Sequence, residues 1–96
     1  MNQNQNQNQM QLKGEDKVLQ GKYTNMMQVS HTKEEFVMDF ILVHPPIGQL
    51  ISRVITSPGH MKRIVSALKE NLKKYEDIHG EIEIANEPKQ KIGFNV

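Results

Sequence analysis

The chain has 96 residues, with 12 Lys and Arg against 11 Asp and Glu, a formal net charge of +1. That length allows one small domain, and so even a charge balance disfavours a chain built wholly to bind nucleic acid or acidic lipid. With no cysteine and no tryptophan, a disulfide scaffold, a thiol enzyme and a Cys-based zinc site are excluded.

Residues 2–9 alternate Asn and Gln without an apolar side chain, and Met10 to Gln20 stay largely polar. Such a stretch buries too little surface to offset its ordering entropy, so residues 1–20 are expected to form a disordered polar tail. The patterned domain spans 21–84, and 85–96 reads as a loose C-terminal tail with Ile92, Phe94 and Val96 as isolated apolar residues. No apolar run approaches the roughly 20 residues of a membrane span, and no signal-peptide pattern opens the chain. The expectation is a soluble cytoplasmic protein.

Tyr23, Asn25, Met27 and Val29 alternate as one face of a first strand. Ser30 to Glu35 is a polar turn. Phe36 to Val43 is apolar at seven of eight positions, long enough for a strand and short for a helix. His44-Pro45-Pro46-Ile47-Gly48 then breaks the run, because proline removes a donor and fixes φ. Gln49 to Thr56 resumes as a third strand, with Leu50, Ser52 and Val54 on one face and Ile51, Arg53 and Ile55 on the other. Three short strands with short connections favour an antiparallel meander.

Ser57 is a good N-cap and Pro58 suits the first helical position. Met61, Ile64, Val65, Leu68, Leu72, Tyr75 and Ile78 recur at steps of three and four, which is one apolar helix face. Gly80 is a natural stop. A single amphipathic helix over 58–79 is therefore expected. The fold class is α+β: a three-stranded antiparallel meander followed by one long helix.

One helix covers one face of such a sheet, yet the central strand is apolar on both. Phe36, Met38, Phe40 and Leu42 lie on one side, Val37, Ile41 and Val43 on the other. An antiparallel sheet in water normally keeps its second face polar, and a core this small is marginal alone. Both points favour a homodimer or another partner, the alternative being tails that fold back through Ile82, Ile84, Ile92 and Phe94. Asp39 interrupts the apolar run and needs a counter-charge if buried. Arg53 on the neighbouring strand is the expected structural partner.

Motifs for chemistry are missing. There is no Gly-rich phosphate loop and no nucleophile elbow. His31, His44, His60 and His79 share no metal-ligand spacing on one element. A non-enzymatic protein without cofactor or metal is expected. Lys62, Lys69, Lys73 and Lys74 offer a basic helix face for sequence-tolerant nucleic-acid binding, but Glu70, Glu76 and Asp77 interleave with it and no aromatic pair offers stacking. An apolar sheet face with chaperone-like binding is a further alternative.

Tyr23-x-Asn25, Val29-Ser30-His31, Glu35-Phe36-Val37-x-Asp39-Phe40 and Ser52-Arg53-Val54-Ile55-x-Ser57-Pro58-x-His60-x-Lys62-Arg63 together resemble a family of small bacterial and archaeal proteins catalogued as a domain of unknown function. The likeness continues through Asn71-Leu72, Tyr75-Glu76 and His79-Gly80-Glu81-Ile82. Between Val43 and Ile51 the chain departs from it, since relatives carry a longer Gly/Pro loop ending in Lys-Ala. The resemblance implies the same fold and no established activity. It also implies an accessory of the transcription machinery, because relatives' genes neighbour those of the large RNA polymerase subunits. Asn25, Arg53, His60, Lys62 and Arg63 are then the expected interaction residues, with Asn25 and His60 expected to bond across the strand–helix junction. The functional expectation is a homodimeric, non-enzymatic accessory docking on a larger complex.

Overall fold

Residues 16–19 wind into a single helical turn, α1 (Asp16–Leu19), in which the Val18 and Leu19 amides donate to the Glu15 carbonyl. The structure, a computed structural model, describes residues 9–84 and residue 93. Part of the stretch expected to be disordered thus carries one turn of helix, with an acid at its start where the dipole favours one. Residues 9–15 carry no helix or strand, while residues 1–8 and the expected C-terminal tail apart from Gly93 lie outside the described residues.

Three antiparallel strands follow in the order β1-β2-β3: β1 (Met26–His31), β2 (Phe36–His44) and β3 (Ile47–Thr56). The β1–β2 turn is held by Thr32, whose hydroxyl accepts from the amides of Glu34 and Glu35, both at 3.2 Å. Hydroxyls that mimic a backbone acceptor in this way favour turns over strands. The second connection is shorter than the sequence suggests. His44 already pairs with Ile47, so Pro45 and Pro46, joined by a cis peptide bond, form the whole turn.

Pairing in β2–β3 shifts by one residue between Phe40 and Ile41, which puts Phe40 opposite Ser52 and Ile41 opposite Leu50. Ile51 is the extra residue of a β-bulge. Strict alternation in β3 is therefore lost, and Leu50 joins the face of Ile41 and Arg53 rather than that of Ser52 and Val54. Among the described residues the buried apolar ones are few: Met38, Ile41 and Val43, all on the central strand.

The helix α2 (Pro58–His79) runs between the expected ends. Ser57 Oγ accepts from the His60 amide at 3.2 Å, and Gly80 terminates the helix at φ 92°, a conformation that costs a β-carbon dearly. Its packing differs from the expectation. None of its residues is buried, and the elements in extensive contact are the three strands. Met61 and Ile64 are half-buried, while Val65, Leu68, Leu72, Tyr75 and Ile78 are exposed. Ser57 alone joins β3 to α2, a helix about 33 Å long, and partial burial along it is limited to its first turns at Met61 and Ile64 and to Glu76.

Candidate functional site

Gln28, Asp39 and Arg53 are register partners across all three strands and so project from one face of the sheet. Arg53 Nε donates to Asp39 Oδ1 at 2.7 Å and its terminal nitrogen donates to Oδ2 at 2.9 Å. This fork-to-fork geometry, two parallel N–H···O bonds, matches the planar guanidinium to the two carboxylate oxygens. Asp39 is 7% exposed, whereas the Arg53 side chain is half-exposed. The hydrogen bonds from Arg53 hold the Asp39 carboxyl below its ordinary range, against the opposing effect of burial. Reciprocally, the Asp39 carboxylate holds Arg53 more firmly protonated. Gln28, Val29, Ser30, Asp39 and Arg53 line a wide, open dish of about 470 Å³.

Asn25 does something other than reach the helix. Its side-chain amide donates to the Val43 carbonyl at 3.0 Å and accepts from the Val43 amide at 2.8 Å. It thereby continues the β1–β2 ladder one step beyond Met26. Substituting Asn25→Ala is expected to cost about 1 kcal/mol of stability, read by urea unfolding, because both bonds go but water reaches the vacated groups.

The Val43 end of β2 and the Phe36 end, beside which α2 starts, are roughly 23 Å apart at the usual rise of a strand. The expected bond between Asn25 and His60 is therefore not made. Ser57 instead accepts from the His60 amide, and Arg63 donates to His60 Nδ1 at 3.0 Å. Because Arg63 is a donor only, that histidine nitrogen is the acceptor. Of the five expected interaction residues, His60, Lys62 and Arg63 gather on the first helical turns, Arg53 sits mid-sheet, and Asn25 lies at the far end.

On the helix, Lys73 pairs with Asp77 at 3.0 Å and Lys74 with Glu70 at 3.6 Å. The basic face is thus neutralised over half of its four lysines. Among the described residues no cluster of three His, Cys, Asp or Glu is placed to hold a metal, and no helix is long and apolar enough to cross a membrane.

What reading the residues alone missed is the exposure of the helix stripe. Val65, Leu68, Leu72, Tyr75 and Ile78 have the spacing of core residues and stand in solvent, the last 76% exposed. A contiguous apolar strip of this length is a mark of an interaction surface rather than scattered surface leucines. The signal available beforehand was the one-residue link at Ser57.

No curated protein and no solved structure matches the chain. One family model does, over residues 1–84, and the chain belongs to that family, described as a protein of unknown function (DUF3467).

Proposed function

We propose that this chain is a non-enzymatic interaction protein of the cytoplasm: a homodimeric accessory that docks on a larger complex, RNA polymerase being the complex the family resemblance implies. The observation that supports it is α2, a helix of 22 residues with no buried residue and an apolar stripe along it. Helices owe most of their stability in proteins to packing of that stripe, so a helix left bare in the single chain is built to be covered by another. Exposed Met27, Val29 and Val54 on the sheet, with half-buried Phe36, Phe40 and Leu42 beside them, add to the uncovered apolar area. The docking residues are His60, Lys62 and Arg63 on the first helical turns, with Arg53 on the sheet.

Sequence-tolerant nucleic-acid binding through Lys62, Lys69, Lys73 and Lys74 is less well supported, because Lys73 and Lys74 are each matched by an acid one turn away. The experiment is a tagged pull-down from native extract, with and without nuclease. One complex retained at near-stoichiometric level after nuclease, and lost when His60→Ala and Arg63→Glu are combined, is the expected result. Partners that vanish with nuclease would transfer the function to the lysines, and recovery of the protein alone would remove the accessory role.

A further inference from the structure

We infer that the apolar stripe of α2 is covered by the same stripe of a second copy, the two helices lying antiparallel about a two-fold axis near Lys69 and Glu70. This deepens the homodimer reading of the preceding section and rests on it.

Three observations select this occupant. The first is heptad spacing. Met61, Leu68 and Tyr75 repeat every seven residues, as do Ile64, Asn71 and Ile78, which is the seam of a helix pair. In an antiparallel pair centred between Lys69 and Glu70, each seam residue meets one from the other set. Met61 then faces Ile78 of the second copy, Ile64 faces Tyr75, and Leu68 faces Asn71. The two Asn71 amides fall within about one helical turn of each other across the axis, where a polar residue in an apolar seam sets register.

The second observation is charge. From Pro58 to Lys69 the helix carries Lys62, Arg63 and Lys69 and no acid; from Glu70 to Glu83 the chain carries Lys73 and Lys74 against Glu70, Glu76, Asp77, Glu81 and Glu83. This polarity opposes the helix's own dipole, which favours acids at the start and bases at the end. Among the described residues, the acids of the second half are matched within the helix only at Lys73–Asp77 and Lys74–Glu70. An antiparallel second copy matches this polarity, because it sets the basic half of each helix against the acidic half of the other, Lys62 of one copy falling level with Asp77 of the other. A parallel copy would set like against like.

The third is area. Two helices of six turns, packed along stripes that are half-buried at Met61 and Ile64 and 42–76% exposed from Val65 to Ile78, bury on the order of 1,200 Å² in total, which reaches the lower bound of a specific interface.

The test uses the absence of cysteine in the natural chain. Met61→Cys and Ile78→Cys are made singly and together, each variant is checked for helix content by circular dichroism, and each is oxidised mildly at the concentration where light scattering reports the mass. Within one helix positions 61 and 78 are about 26 Å apart, so any disulfide is between copies. The expected result is a dimer mass, a covalent dimer from the double variant and from a mixture of the two single variants, and none from either single variant alone. Covalent dimers from the single variants would overturn the antiparallel arrangement in favour of a parallel one. A dimer mass with no covalent product would overturn the helix pair while leaving the homodimer, the stripe then lying against another part of the second copy. A monomer mass throughout would overturn both.

Discussion

Replacing Leu68 and Leu72 together by Asp is expected to convert the proposed dimer into a monomer at every accessible concentration, with a weakening of about ten-thousand-fold or more read by light scattering or analytical ultracentrifugation. Each leucine moved from water to an interface contributes roughly 1.5–3 kcal/mol, and two-fold symmetry counts every substitution twice. A carboxylate forced into the seam adds a desolvation cost in place of that gain. Both leucines are more than half exposed in the single chain, so their replacement leaves the sheet intact. The same variant is expected to lose helix signal, because a helix of this length without a covered face is marginal in water. Ser66→Asp serves as the control. Ser66 is exposed on the opposite side of α2, adds a charge without touching the stripe, and is expected to leave the mass unchanged. Loss of the dimer in that control would show that charge, rather than apolar contact, governs association.

The helix was readable almost to the residue, because its ends are set by local chemistry. Ser57 caps the first turn, Pro58 fits where its missing amide donor is harmless, and Gly80 adopts a conformation other residues resist. The Asp39–Arg53 contact was readable for a similar reason. An acid within an apolar strand has few ways to be tolerated, and an arginine on the adjacent strand is the best of them. Less legible was anything set by pairing between strands. The bulge at Ile51 leaves no mark in a stretch that alternates acceptably throughout, yet it moves Leu50 to the other face. Two prolines read as a broad interruption and prove to be a complete two-residue turn. Tertiary placement was least legible of all. Periodicity says that a stripe will be covered and is silent about what covers it, so Val65, Leu68 and Leu72 looked like core residues of their own chain. Asn25 shows the same limit at a single residue: its amide suits a junction with the helix as well as it suits the edge of β1, and the strand ladder decided between them.

Arg53→Leu is expected to reverse the pH dependence of stability on the acid side. In the natural chain the Asp39 carboxyl is held below its ordinary value of 3.8, first through its hydrogen bonds to Arg53. A group whose folded value is depressed gives stabilisation that is complete above the unfolded value and disappears as pH falls through the folded one. Unfolding temperature should thus be level from neutral pH to about pH 5 and fall below about pH 4. Removing Arg53 leaves a nearly buried carboxylate without its cation, which raises its folded value above the unfolded one. The folded state then binds protons more readily than the unfolded state, and stability rises as pH is lowered from 7 toward 5. At neutral pH the variant is expected to melt on the order of 10 °C lower, a large shift for a chain of this size. Adding Asp39→Leu to Arg53→Leu removes the stranded charge and is expected to recover most of that loss, since an apolar pair of similar shape tolerates the same site. Thermal melts of the three proteins from pH 3 to pH 8 decide the matter. Parallel curves for the natural chain and Arg53→Leu would mean that Asp39 finds water or another partner when Arg53 is gone, and that the ion pair is an ornament of the sheet face rather than a condition for burying Asp39.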